Sequence, residues 1–244
     1  MIPKSHPRYI SLKTRDKIVD GVKKGITSTK GLIAHGRGEA FDYLLKEKTN
    51  DFAKKAIKAA AALLLTAKHP VISTNGNFAV LCPKEIITLS KTIPAKIEVN
   101  TFYGPKKRNK NIKDFLIKHN AKEVLMPEKP LIKYIASNRR FCNPNGIYKA
   151  DVVFVPLEDG DRCEALIKMG KKVITIDLNP LSRTAQKANI TIVDNVIRAM
   201  SLIIKEVNNL KKYNKNYLIK IIRSYNNKRI LSESLRFIHK NLVR

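Results

Sequence analysis

From Val71 onward, short runs of β-branched and other apolar residues alternate with longer amphipathic stretches, and this alternation narrows the possible folds more than any other feature. "VIST" (71–74) precedes a helical pattern around Pro83–Lys91, and "AKIEVNTFY" (95–103) precedes the basic helical stretch "RNKNIKDFLIKHN" (108–120). "AKEVLMP" (121–127) reads as a further strand, followed by an irregular segment rich in Lys, Asn and Pro over 128–148. "ADVVFVP" (150–156), "RCEALIKMG" (162–170), "KKVITID" (171–177) and "NITIVD" (189–194) continue the pattern. Strand–helix–strand units pack back on themselves with right-handed crossovers, which puts helices on both faces of a mostly parallel sheet. The fold class this predicts is α/β, a Rossmann-like three-layer domain with helical additions at both ends.

The additions follow from helical spacing. "SLKTRDKIVDGVKKG" (11–25) carries Ile18, Val19 and Val22 on one side and stops at Gly25. "GEAFDYLLKEK" (38–48) reads as a helix following a glycine-rich turn. "NDFAKKAIKAAAALLLTAKH" (50–69) reads as a long helix capped by Asn50 or Asp51 and ended by His69-Pro70. Residues 199–244 read as two helices joined near 208–216, with Ile230, Leu231, Leu235, Ile238 and Leu242 forming a face that docks on the domain or on a second subunit. No repeat or low-complexity linker interrupts the chain. The expectation is one domain over 1–244, with a helical part at 1–69, the core at 70–198 and C-terminal helices from 199.

Composition excludes several classes. The most apolar stretch, "AAAALLLTA" (59–67), is about half the length of a membrane span and suits a buried helix. The start "MIPKSHPRY" has no apolar leader core, and three scattered cysteines without CxxC spacing suggest neither a disulfide framework nor a zinc site. A reducing cytoplasm fits both. The net charge of +28, from 48 Lys+Arg against 20 Asp+Glu, attracts polyanions. The excess is spread along the chain, there is no Trp, and no RNP-like or zinc-finger pattern occurs, so a nucleic-acid-binding protein on a Rossmann-like scaffold is the alternative reading.

Ligands of open parallel sheets bind at the carboxyl ends of the strands, and several polar clusters fall there. "VITIDLNPLSRTA" (173–185) runs from a buried strand into Asp177, Asn179, Ser182, Arg183 and Thr184. The acid and amide suit a ribose or base edge, and Arg183 and Thr184 suit phosphates. "IVDNVIRA" (192–199) repeats the arrangement, with Asp194 expected as a helix cap and Asn195 facing the same edge. In "LIAHGRGEAF" (32–41), Gly36-Arg37-Gly38 before a helix starting at Glu39 would bring backbone N–H groups to a phosphate, with Arg37 adding a charge-assisted contact. Phe41 occupies the third glycine of GxGxxG, and no acid ends a second strand, so a nicotinamide cofactor is disfavoured; no P-loop occurs. Asn75-Gly76-Asn77 follows a strand, and Glu158, Asp159 and Asp161 follow another, where they could cap a helix, hold Mg²⁺ through water or select an ammonium group. Two unit charges 4 Å apart repel by about 4 kcal/mol in a partly solvated site, so joining two polyanions calls for fixed arginines and a divalent cation.

The strings "MIPKSHPRYISLKTRDKIVDGVKKG", "GLIAHGRGEAFDYLL", "HPVISTNGNFAVL", "KIEVNTFY", "GIYKADVVFVPLEDGDRCEALIKMGKKVITIDLNPLSRTA" and "ITIVDNVIRA" resemble the archaeal 4-phosphopantoate–β-alanine ligases, or phosphopantothenate synthetases, over nearly the whole chain to about Met200. The resemblance implies a cytosolic homodimer that uses ATP and Mg²⁺ to join 4-phosphopantoate to β-alanine through an acyl-adenylate, in coenzyme A biosynthesis. It implies ATP contacts at Arg15, Arg37, Asp177, Leu178, Asn179, Arg183, Thr184, Asn195 and Val196. Arg37 and Arg183 would neutralise charge in the reaction and His35 would accept the amine proton, while Asn75 and Asn77 are the candidates for phosphopantoate. Contacts from 138–145 are unassigned.

Overall fold

Five of the apolar runs are strands of one parallel sheet. The computed structural model describes residues 2–101 and 106–242, so Phe102 and Tyr103 of the second expected strand lie outside the described residues. Before the sheet come α1 (Tyr9–Lys23), α2 (Thr29–Leu44) and α3 (Asp51–Thr66). The strands β1 (Pro70–Thr74) and β2 (Lys96–Val99) are separated by α4 (Gly76–Leu81) and α5 (Pro83–Thr92), and α6 (Lys106–Lys118) follows. A two-strand antiparallel pair, β3 (Lys129–Pro130) and β4 (Phe141–Cys142), spans the irregular segment. Then come β5 (Val152–Phe154), α7 (Gly160–Lys168), β6 (Lys172–Ile176), α8 (Arg183–Lys187) and β7 (Ile190–Ile192). Helices α9 (Val196–Leu210), α10 (Lys215–Ser224) and α11 (Asn227–Leu242) end the chain.

The sheet order is β2-β1-β5-β6-β7. It reverses direction between β1 and β5, which are paired in register from Pro70 opposite Val152, and such a reversal opens a crevice at the carboxyl ends of the two strands. Alternation sorts the side chains into two layers. Ile72, Phe154, Ile174 and Ile176 face a large core with α3, α5 and α9, whereas Val71, Val153 and Val173 face a smaller one with α7 and the 132–150 segment. Helix α3 lies in the larger core with Ala53, Ala56, Ala59, Ala60, Ala61 and Ala62 buried, and such small residues let neighbouring helices approach closely. No described helix is long and apolar enough to cross a membrane.

Three expectations need correction. "AKEVLMP" forms no strand: only Leu125 bridges to Glu98, so β2 is the sheet edge. The C-terminal part holds three helices, because the chain turns again at Tyr225, whose hydroxyl lies against Asn227 and Thr191. Helix α11 docks on the domain itself: Asn227 accepts from Thr191 N–H at 2.8 Å and donates to Ala185 C=O at 2.8 Å, covering the β7 edge. Of its expected face, Ile230, Leu231 and Ile238 are buried, whereas Leu242 is exposed. Finally, α2 runs unbroken through Gly36-Arg37-Gly38. Ser28 caps it by accepting from Gly31 N–H, and Leu32, Phe41 and Leu44 pack on the core. That anchoring outweighs the roughly 1 kcal/mol each mid-helix glycine costs relative to alanine.

Gly76 lies where α4 meets the 26–27 turn. A Cβ there would stand 2.3 Å from the Ile26 carbonyl oxygen, which is backbone and cannot swing aside. Gly76→Ala is expected to cost about 1–3 kcal/mol by forcing the two segments apart, seen as a lower urea midpoint at unchanged m-value; an unchanged midpoint would show that this contact is soft.

Candidate active site

The loops and helix starts at the carboxyl edge carry the residues singled out from the sequence, except Arg15 on α1 and His35 and Arg37 on α2. Asn75 caps α4 by accepting from Phe78 N–H at 3.0 Å, and its amide donates to Pro156 C=O at 3.3 Å and Leu157 C=O at 3.1 Å, bridging the crevice between β1 and β5. Asn77 accepts from the Thr27 hydroxyl and donates to Gly31 C=O at 2.8 Å. Both amides are therefore satisfied within the protein and brace the loops around them.

After β6 the chain folds on Asp177. Its carboxylate accepts from Asn179 N–H at 2.9 Å and from the Ser182 hydroxyl. Burial pushes this acid up, opposed by those hydrogen bonds and by the nearby Arg37 charge. Helix α2 passes above: Leu178 would be 3.7 Å from a Cβ at Gly38, and nothing lies within 4 Å of one at Gly36, so the paired glycines leave bare helix surface beside exposed Arg37. Arg37 therefore presents its side chain from mid-helix, away from any helix N-terminus.

Ser182 caps α8, whose first residues are Arg183 and Thr184. Arg183 pairs with Glu164 at 2.6 Å, and its stem lies on Gly160, where a Cβ would meet it at 2.5 Å. The buried Thr184 hydroxyl donates to Glu158 C=O at 2.7 Å, tying the β6 loop to the β5 loop. After β7 the expected cap is exchanged for its neighbour. Asn195 caps α9 by accepting from Ile197 N–H at 3.1 Å, and its amide donates to Asp42 at 3.0 Å. Asp194 is instead buried against Arg198 at 2.7 Å and the Thr49 hydroxyl at 2.6 Å. Val196 follows as the first residue of α9.

Arg15 stands apart from the sheet edge, on α1, paired with buried Glu39 of α2 at 2.9 Å. His35 lies on α2 near both. Its burial holds the imidazole below its ordinary pKa, with Glu39 opposing, so it is neutral near pH 7 and able to accept a proton.

Two of the three acids after β5 are paired with arginines. Glu158 is buried between Arg139 and Arg162, with Arg162 Nη1 at 2.6 Å. Asp159 lies 3.0 Å from Arg139, and Asp161 accepts from Arg162 N–H at 2.8 Å. Glu158 and Asp159 are thus paired with guanidiniums, whereas Asp161 meets only a backbone N–H. Among the described residues, no three His, Cys, Asp or Glu side chains gather at one point. Sequence reasoning missed Arg139, Arg162 and Asn100, which line the crevice from the 139–143 segment, α7 and the end of β2. It also missed Glu98, fully buried, which accepts from Asn143 N–H at 2.9 Å and Ile147 N–H at 2.6 Å and so holds the 143–147 loop. Gly146 makes room for it: a Cβ there would fall 2.0 Å from Glu98 Oε2.

A wound parallel sheet whose carboxyl edge gathers arginines, buried acids and capping amides is the framework of an α/β enzyme acting on anionic substrates. The chain belongs to the phosphopantothenate/pantothenate synthetase family, whose profile matches residues 52–241. It is 50% identical to a 4-phosphopantoate–β-alanine ligase of Thermococcus kodakarensis over 245 residues, covering 100% of this chain and 94% of that protein. The ligase of the same name from Methanosarcina mazei is 51% identical over 241 residues, 99% of this chain and 95% of the relative. A third, from Methanospirillum hungatei, is 52% identical over 82% of each chain.

Burial pushes the Glu98 carboxyl up to about 7, against the pull of its two backbone hydrogen bonds and Arg162. Between pH 4.5, its ordinary value, and about 7 the folded protein thus holds a proton that the unfolded chain has lost, and Glu98's contribution to stability falls as pH rises through that window. The stability difference between wild type and Glu98→Gln, from urea melts, is expected to drop by about 2–3 kcal/mol over that interval and to flatten above it; a difference independent of pH would contradict the assigned burial.

Proposed function

We propose that the protein is an ATP-dependent ligase of coenzyme A biosynthesis that condenses 4-phosphopantoate with β-alanine and releases AMP and diphosphate. Its support is the near-half identity to ligases of that name along the whole chain, combined with the gathering of the expected nucleotide residues other than Arg15 around one sheet edge. Nucleotide would lie between α2 and the loops after β6 and β7. Asp177 and Asn179 would meet its sugar or base, and Leu178 would pack beside Gly38. Thr184 and Val196 would offer first-turn amides, because the Thr184 hydroxyl is already engaged. Asn195 and Arg15 would act from the ends of the α2 seam. Any Mg²⁺ would travel with the triphosphate, since Glu158 is held by Arg139 and Arg162 and no three His, Cys, Asp or Glu side chains gather at one point among the described residues.

The reaction divides into two displacements. A carboxylate oxygen of the pantoate attacks the α-phosphorus and diphosphate leaves, with Arg37 and Arg183 offsetting the negative charge that builds there. The neutral amine of β-alanine then attacks the acyl carbon, AMP departs and the amine loses one proton. Neutral His35 is the proposed acceptor of that proton. Holding both reactants on one rim replaces a chance encounter with a fixed approach. Asn75 and Asn77 would bear on the acid through the loops they brace. We also propose a homodimer, for which exposed Ile10 and Ile33 on the first two helices offer apolar surface, and a cytoplasmic location, which three buried free thiols suit.

AMP release is expected only when ATP, 4-phosphopantoate and β-alanine are all present. RNA binding without turnover would favour the nucleic-acid alternative, and stabilisation by NAD but not ATP would favour a dehydrogenase. The Arg183 side chain is 62% exposed, so Arg183→Ala should change stability by less than about 1 kcal/mol while lowering kcat about 100-fold. An unchanged rate would remove Arg183 from the site.

A further inference from the structure

The turn after β5 holds a leucine where neither backbone nor packing calls for one. Leu157 has a φ of 58°, in the left-handed region that glycine enters freely and leucine enters at a cost. Lys46 and Asn120 share that conformation just past the ends of α2 and α6, where a left-handed residue closes the last helical turn. Leu157 closes no helix. Its backbone is held from both sides instead: its N–H donates to Ile176 C=O at 3.2 Å, and its carbonyl accepts from the Asn75 amide at 3.1 Å. On the next residue, the Glu158 carbonyl accepts from the Thr184 hydroxyl at 2.7 Å, and the carboxylate is gripped by two arginines. Strain that its surroundings fix in this way gathers at functional sites. Packing does not account for the side chain either, since Leu157 joins neither core layer and is 36% exposed.

Its place is the junction of the two expected reactants. The loop after β5 lies between the Asn75 loop of β1 and the Asp177 loop of β6, beside the reversal of sheet order. A nucleotide on the β6 and β7 side and an acid on the β1 side meet over this loop. We propose that the Leu157 side chain covers the acyl-adenylate there and keeps water from its acyl carbon, so that the amine of β-alanine is the nucleophile that reaches it. This rests on the ligase reading. The two nucleophiles compete for one bond. The amine forms a C–N bond as the acyl–oxygen bond to AMP breaks; the electron pair leaves on the phosphate oxygen and the amine gives up a proton. Water forms a C–O bond against the same leaving group and gives up its own proton, which returns the acid and turns ATP into AMP and diphosphate with no amide made. A glycine would relax the turn but leave the acyl carbon open to solvent.

The test measures AMP and amide product together, using the full chain with ATP, 4-phosphopantoate and subsaturating β-alanine. Wild type is expected to release AMP and amide in equal amounts. Leu157→Gly removes the side chain, and Leu157→Asn keeps its size, tolerates a left-handed backbone and is polar. Both should raise the ratio of AMP to amide about 3- to 10-fold and release AMP steadily when β-alanine is left out. Leu157→Met should hold the ratio near that of wild type. Tm should change by less than about 4 °C in the Gly and Asn variants, because relief of strain offsets the little packing lost. An unchanged ratio in both would overturn the proposal, whether their rates hold or fall. Loss of all AMP release would place Leu157 in the first displacement and overturn it too, as would a drop in mass by light scattering, which would place the leucine in a subunit interface. Should neither variant fold, Leu157→Ala takes the same measurements, and a wild-type ratio there would end the proposal. A wild type that releases no AMP with all three reactants sinks the ligase reading itself, a result distinct from an active wild type whose variants stay coupled.

Discussion

A guanidinium shared by two buried carboxylates joins the helical N-terminal part to the sheet. Arg198, on the first turn of α9, reaches Asp42 of α2 at 2.6 Å and Asp194 after β7 at 2.7 Å. Removing one partner of such a group leaves the others charged and dry, a loss of about 3–5 kcal/mol. Its position matters as much as its strength. Asp42 also holds the Asn195 amide, and Thr49 holds Asp194, so α2, the loop before α3 and the start of α9 share one polar seam. That seam fixes the height of Arg37 and His35 above the sheet rim. It adds to the core packing of Leu32, Phe41 and Leu44 that sets the glycine-bearing helix over Asp177.

The rim itself divides into two regions with different physics. Around α2, Asp177 and Arg183, the arginine side chains are exposed and Asp177 and Asn179 are half-buried, as suits a large, hydrated ligand. Around Glu98, Arg139, Glu158 and Arg162 the charged side chains are buried, with Glu158 paired to both arginines and Glu98 held by two backbone N–H groups. The first region resembles a binding surface. The second is a dry electrostatic pocket, where a guanidinium edge counts for more than it would in water.

Much of this is legible in the sequence. Short apolar runs marked β1, β5, β6 and β7, and polar residues just beyond them marked the rim, because a parallel sheet has to present its loops there. The same logic failed where local and global preferences compete. Gly36 and Gly38 have the composition of a turn, yet the Ser28 cap and the packing of Leu32, Phe41 and Leu44 carry the helix through. "AKEVLMP" has strand composition but pairs only at Leu125. Asp194 looks like the better cap, and the choice of Asn195 depends on Arg198 and Thr49, distant partners that spacing does not show. Arg162 was the hardest to see: in "GDRCEALIKMG" an arginine at a helix start looks like a solvent-facing residue, and only the crevice beneath it, set by strand order, turns it inward. Arg139 and Glu98 were hidden for the same reason, since their partners are remote in sequence.

The Thr184 hydroxyl closing on the Glu158 carbonyl works as a yoke between the two regions. A body wedged beside Arg183 tugs on the backbone that carries Glu158, and a body seated under Glu158 tugs back through the same bond. A shift of either loop is thereby passed to the other through a single side chain, without any large swing of the fold.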